Sequence, residues 1–202
     1  MTEQIPILIL FAHPALQKSR VNKVLAQAVS GLEGVTFHDL YEEYPDFNID
    51  PAREQELLRQ HDIIIIQFPF LWYSPPSIVK EWEDIVLEHG WAYGSRGVVL
   101  REKKLLCVLS TGGGEAAYRK GSKRFTIRQL LAPLERSAYL CGMEYLPPFA
   151  VHGTHLLQDE DIRAHGERYR RLVYALSSGK ANYQKLSKLE NLNSNLDAVL
   201  KD

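Results

Sequence analysis

Three short stretches of this chain carry residue types that can do chemistry, and each follows directly on an apolar run. They read His13 to Ser19 (HPALQKS), Pro69 to Pro75 (PFLWYSP) and Thr111 to Tyr118 (TGGGEAAY). In the first, a histidine precedes the start of a helical pattern. Orphan N–H groups and the helix dipole favour an anion there, and His13, Ser19 and Asn22 add donors. A plain structural turn is the alternative for His13 followed by Pro14. In the second, Phe70, Leu71, Trp72 and Tyr73 present apolar area that needs covering by a flat ligand, by core or by another subunit. In the third, Gly112, Gly113 and Gly114 let the backbone approach a ligand closely and aim N–H groups at it, although a flexible turn has the same composition. Taken together the loops offer an anion cradle, an apolar slot and backbone donors, which describes a phosphorylated planar cofactor.

Other chemistries are disfavoured. The first loop contains no glycine, so it lacks a dinucleotide fingerprint, and the Gly-Lys-Ser/Thr ending of a P-loop is absent. No Gly-x-Ser-x-Gly elbow supports a hydrolase. His152 and His155 lack the further ligands of a zinc site and read as surface or hydrogen-bonded histidines. Two cysteines, Cys107 in an apolar run and Cys141 near a helix end, make no disulfide framework and fit a reducing compartment. A formal net charge of -1 gives no field to gather nucleic acid, and the basic run Arg119 to Lys123 reads as a solvated loop. The apolar stretches fall short of the roughly 20 residues of a membrane span, and Met1 to Pro6 shows no leader pattern. The expectation is a cytoplasmic protein without metal.

The elements that must position these loops alternate. Ile5 to Ala12 and Ile63 to Phe68 are uniformly apolar and predict strands covered on both faces; Val35 to Leu40, Lys104 to Ser110 and Met143 to Ala150 predict three more. Pro147 and Pro148 place the last at a sheet edge. Helices are expected over Ser19 to Leu32 with Ser19 as cap, Pro51 to Gln60 capped by Asp50, Pro76 to His89, Arg124 to Cys141 divided or kinked at Pro133, and Asp159 to Leu176. Tyr41 to Asp50 reads as an aromatic, acidic loop. At 202 residues, 45% of them hydrophobic, one domain over residues 1–178 is the default, with a polar extension over 179–202 whose order is open. Five strands and five helices predict an α/β three-layer sandwich on a five-stranded parallel sheet of order 2-1-3-4-5. In that order strands one, three and four are neighbours, and the three unusual loops open onto one crevice.

As a set, Ala12 to Pro14 (AHP), Phe68 to Ser74 (FPFLWYS), His89 to Tyr93 (HGWAY) and Ser110 to Gly114 (STGGG) resemble the NAD(P)H:quinone oxidoreductase family. Tyr44 to Asp50 (YPDFNID) and Leu146 to His152 (LPPFAVH) are similar to its subgroup of ancillary flavoproteins of glutathione-gated potassium efflux systems. The resemblance runs from about Ile5 to Leu176. It implies a flavodoxin-like homodimer holding FMN, with FAD as the alternative. Hydride would pass from NADH or NADPH through the flavin to a quinone, two electrons per cycle, in ping-pong order. By position, His13, Ser19, Arg20, Val21 and Asn22 would hold the phosphate and ribityl side. Phe70, Leu71, Trp72, Tyr73, Thr111, Gly112, Gly113 and Gly114 would edge the ring. Tyr118 would sit near the flavin O2, and Tyr93 would reach the pocket from a partner subunit. The histidine that animal members carry shortly after this tyrosine has no counterpart among Arg119 to Arg124, which leaves water or Tyr93 as proton donor. The alternative implied by the subgroup is a regulatory subunit that binds and activates a membrane potassium/proton antiporter, at the inner face of the cell membrane.

Overall fold

A computed structural model describes residues 4–119, 125–193 and 196. Of the basic run Arg119 to Lys123, all but Arg119 lies outside the described residues. The elements in chain order are β1 (Ile7–Phe11), α1 (Val21–Val29), β2 (Val35–Asp39), α2 (Leu40–Glu43), α3 (Pro51–Gln60), β3 (Ile63–Pro69), α4 (Ser77–Val86), β4 (Lys104–Ser110), α5 (Ile127–Leu130), α6 (Ala132–Leu140), β5 (Glu144–Tyr145), β6 (Phe149–Val151), α7 (Asp159–Ser177) and α8 (Tyr183–Leu186).

The sheet runs β2-β1-β3-β4-β5, every pair parallel, with β6 also paired to β4. The expected fifth strand is thus two short ones. Pro147 and Pro148 have no N–H to give a ladder, so pairing stops at Tyr145 and resumes at Phe149. Helices differ from expectation for similarly local reasons. Pro133 divides the helix before α6 at Leu131, and Asp39 accepts from Tyr41 N, starting the short α2 where a plain loop is expected. Asp50 caps α3 as expected, accepting from Ala52 N and Arg53 N.

Alternation along the buried strands sorts two cores. Leu8, Leu10, Ile64, Ile66, Leu105 and Leu109 face one layer with Leu58, Ile78, Trp82, Val86 and Leu134, from α3, α4 and α6. Ile7, Ile9, Ile63, Ile65, Leu106 and Val108 face the other with Leu25 and Val29 of α1 and Leu172 and Leu176 of α7. After α7 the chain continues along this second layer. Leu186, Leu192 and Leu196 are buried in it, Leu192 N donates to Pro148 O (3.0 Å), and Asn193 Oδ1 accepts from Ala150 N (2.7 Å). This segment therefore satisfies part of the free edge of β6. No helix among the described residues is long and apolar enough to cross a membrane.

Register positions the loops. Pro69 stands beside Ser110 across β3 and β4, and Phe11 stands beside Gln67 across β1 and β3. The three chains therefore leave the carboxyl edge at neighbouring points, where the strand order reverses.

Candidate functional site

A cavity of about 340 Å³ opens at this edge. His13, Ser19, Arg20, Val21 and Asn22 form one side, Phe70 and Leu71 a second, and Ser110 and Gly112 a third. The first turn of α1 supplies N–H groups and the positive end of a helix dipole. Ser19 Oγ accepts from Asn22 N (3.1 Å), so the expected cap is made. Asn22 Nδ2 donates to Ser110 Oγ (2.9 Å), tying α1 to β4, while Asn22 Oδ1 is buried without a protein partner. His13 Nδ1 accepts from Ala15 N (3.1 Å). Its neutral ring must then carry its proton on Nε2, as a donor. Burial lowers the His13 pKa and favours that neutral form.

The aromatic loop divides at Leu71. Phe70 is buried, and its N–H donates to Ser110 O (2.8 Å). Leu71 and Ser74 exchange backbone hydrogen bonds (3.1 and 3.0 Å) around Trp72 and Tyr73, both at positive φ (50° and 65°). That is a tight turn normally given to Asn and Gly; a bulky residue there costs about 1–2 kcal/mol. The two rings are nonetheless held out into solvent, Trp72 94% and Tyr73 61% exposed. Strain and exposed apolar area therefore coincide at this turn.

The glycine loop works by close packing, since none of Gly112, Gly113 and Gly114 has a positive φ. A Cβ on Gly112 would meet His155 Nε2 at 3.1 Å, and one on Gly113 would meet Tyr118 at 3.3 Å; Gly114 has open space. Tyr118 packs edge-on to Phe70 (6.4 Å) and stacks on His152 (5.3 Å, 29° between planes), so loops two and three and the end of β6 converge on it. Burial raises the Tyr118 pKa and keeps the phenol protonated. Thr111 is buried; its hydroxyl donates to Gly113 O (2.7 Å) and lies 3.0 Å from His152 Nδ1. A hydroxyl has one proton, so His152 Nδ1–H must be the donor in that second bond. Burial lowers the His152 pKa as well, leaving Nε2 with a lone pair.

Among the sequence candidates, Trp72, Tyr73, Thr111, Gly113 and Gly114 do not line the main cavity, Tyr118 lines a neighbouring one with Arg119 and His152, and Tyr93 lies apart from both. It contacts His89 edge-on (5.4 Å) and lines a separate hollow with Lys80, Glu83 and Leu140. Thr154 and His155 line the main cavity and His152 supports Tyr118, contributions that residue-type reasoning does not reveal. These residues follow β6, whose position depends on the proline break. Cys107 and Cys141 are buried, and burial pushes their thiols up to about 12 and about 11, so neither serves as a nucleophile at neutral pH.

A doubly wound parallel sheet with an anion-favouring helix start, an apolar wall and a tight glycine loop at its switch point defines a flavodoxin-like protein. The family model described as Flavodoxin-like fold (Flavodoxin_2) matches residues 6–173, and the chain belongs to that family. It is 48% identical over 165 residues to the glutathione-regulated potassium-efflux system ancillary protein KefF of Klebsiella aerogenes, covering 81% of this chain and 92% of that one. Among solved structures it is similar to general stress protein 14 of Treponema denticola in complex with FMN, at 36% identity and TM-score 0.80, covering 85% of this chain and 99% of that one. It is also similar to an NADPH-quinone reductase of P. pentosaceus, at 33% identity and TM-score 0.75, covering 83% and 97%.

Proposed function

We propose that this chain is an FMN-dependent NAD(P)H:quinone reductase that works as a homodimer. The observation that carries the reading is the convergence of α1's first turn, Phe70, Leu71 and Gly112 on one cavity. The residues present fit FMN. The α1 turn, Ser19 and the Nε2–H of His13 suit a phosphate, and the orphaned Asn22 Oδ1 suits a ribityl hydroxyl. Phe70 and Leu71 supply apolar cover for a flat ring, with Gly112 at its edge and the Thr111 hydroxyl bond to Gly113 O holding that loop in shape. Bound there, the flavin would supply hydride and electron transfer between a nicotinamide and a quinone. The chain's own part is to place the ring, exclude water and hold a proton at Tyr118 Oη, where a fixed donor stabilises developing negative charge. The exposed Trp72 and Tyr73 suit a partner or a ligand in the open pocket, and Tyr93, which lines a separate hollow, would reach this site from the partner subunit.

The test is the absorption spectrum of purified protein, followed by release and weighing of its cofactor and by stopped-flow reduction with NADH and NADPH. Bound FMN reduced by either nucleotide and reoxidised by quinone supports the proposal. A colourless protein that ignores added flavin refutes it, as does unchanged FMN content in both Trp72→Asp and Gly113→Val.

A second reading, a cytoplasmic regulatory subunit that activates a membrane potassium antiporter, is favoured by the 48% identity to a protein named for such a system. Pull-down of an antiporter by the purified chain supports it; turnover unaffected by that antiporter and no capture count against it.

A further inference from the structure

A second cavity of about 340 Å³ has its own lining, drawn in part from the same stretch of chain, Ala150 to His155, that contributes to the first. Thr154 and His155 line the first; Ala150 and His152, from the same strand end, line the second. Its remaining boundary comes from Glu115, from His165 and Arg168 on α7, and from Asn191 and Asn193. The two asparagines lie beyond residue 173, where the family match stops, so this cavity is completed by a segment outside that match.

Three nitrogen groups converge here without a hydrogen-bond acceptor among the described residues. Asn193 Oδ1 is committed to Ala150 N (2.7 Å), which fixes the amide's orientation; its Nδ2 is then buried without a partner. His165 Nδ1 is likewise buried without a partner among the described residues, and the Nδ1–H tautomer of its neutral ring makes it a donor to this cavity. Arg168, one helical turn further on, makes no ion pair among the described residues. Buried N–H groups are almost always paired, so two orphans and a free guanidinium around one cavity call for an acceptor from outside the chain. The opposing charge is Glu115, whose carboxylate is 3.7 Å from the Arg119 guanidinium.

We propose that this cavity binds the phosphate or carboxylate group of a ligand, held by Arg168, Asn193 Nδ2 and His165. One source is the ribose phosphate of NADPH reaching over from the first cavity, which rests on the function proposed above. The other is a separate small anion, which does not.

The probes are inorganic phosphate, NADPH and NADH, titrated into the full chain and followed by calorimetry and by the Asn193 and His165 NMR signals. Asn193→Asp is the decisive variant: it keeps an acceptor for Ala150 N but turns a donor into a negative oxygen. Arg168→Gln removes the charge from the exposed rim without touching the core. The expected result is that phosphate moves both signals, that Arg168→Gln weakens it about tenfold, and that Asn193→Asp abolishes it, with circular dichroism unchanged. A preference for NADPH over NADH of about tenfold, lost in Asn193→Asp, assigns the nucleotide source. Equal nucleotide affinities with phosphate binding intact assign a separate anion. Phosphate that leaves the signals unmoved, or binds all three proteins alike, overturns the proposal. FMN content, measured alongside, tests the flavin reading alone, because the phosphate titration does not need the flavin.

Discussion

Replacing Glu54 on α3 should destabilise this protein strongly. Its carboxylate is fully buried and accepts three hydrogen bonds: Oε1 from His38 Nε2 (2.9 Å) and Tyr44 Oη (2.6 Å), Oε2 from Trp82 Nε1 (2.8 Å). Glu54→Leu leaves three buried donors unpaired. At about 1–3 kcal/mol each, with partial relaxation, the loss should be about 3–5 kcal/mol. Glu54→Gln keeps Oε1 for His38 and Tyr44 but turns an NH₂ toward the Trp82 N–H, one mismatch worth about 1–3 kcal/mol. The order wild type, Gln, Leu should appear as falling urea midpoints at constant slope. Burial pushes the Glu54 pKa up, but the bonds from His38, Tyr44 and Trp82 outweigh it and hold the value below the ordinary 4.5. A depressed carboxylate pKa stabilises the fold fully above that ordinary value and loses its contribution as pH falls through the depressed one. Glu54→Gln should therefore flatten the acid limb of the stability profile. A Glu54→Leu unfolding free energy within about 1 kcal/mol of wild type refutes this assignment of the three bonds.

Four further outcomes follow from the geometry. Gly113→Val should fold with near-native stability yet lose flavin affinity at least about tenfold by fluorescence titration, because its side chain must displace Tyr118; Gly112→Ala should be milder, since only the tip of His155 has to yield. His152→Phe keeps the stack on Tyr118 but leaves Thr111 without its donor, at a cost of about 1 kcal/mol in denaturation, and His152→Asn should recover it; equal midpoints for the two variants count against the assigned tautomer. Burial lowers the pKa of His13, His152 and His165 from 6.5, so the folded state binds fewer protons than the unfolded one and stability should decline as pH falls below 6.5; a profile flat from pH 7 to about 5 contradicts this. Leu192→Ala should cost about 2–5 kcal/mol in urea, as for a core leucine, and a loss under about 0.5 would show the segment does not pack as described.

How far the sequence could be read depended on what kind of signal each residue carries. The sheet order was legible because Ile7–Phe11 and Ile63–Ile66 are apolar throughout and α3 between them has a clear Asp50 cap, which leaves few ways to connect parallel strands. The loops' meeting place was legible for the same reason. What each loop residue does there was not, because conformation decides it: Phe70 and Trp72 are two residues apart, yet one is buried and the other is the most exposed aromatic of the pair. His152 carries no local signal at all. It matters through Thr111 and Tyr118, 41 and 34 positions away, and only the pairing of β6 with β4 brings them together. Leu186, Leu192 and Leu196 are spaced to anchor a segment, but three buried leucines among lysines and asparagines do not stand out from a solvated tail.

The Tyr44 to Asp50 string, which marks the resemblance most narrowly, acts away from the cavity. Tyr44 feeds the Glu54 network, Ile49 is core, and Asp50 caps the helix that carries Glu54. Trp82 brings α4 into the same network, and Tyr41 packs against the core layer that holds Ile78 in the first turn of α4. That turn begins two residues after the aromatic loop ends, so the string braces the exit of the loop that holds Phe70 and the strained Trp72–Tyr73 turn. A turn costing a few kcal/mol persists only while its surroundings over-determine it. Loosening the brace should therefore release the strain, and Glu54→Leu should lower stability and flavin affinity together. Gly113→Val, which displaces Tyr118 in the glycine loop without touching the brace, should separate the two. Should Glu54→Leu instead keep full affinity per folded molecule, the string would be a stabilising feature with no bearing on the site.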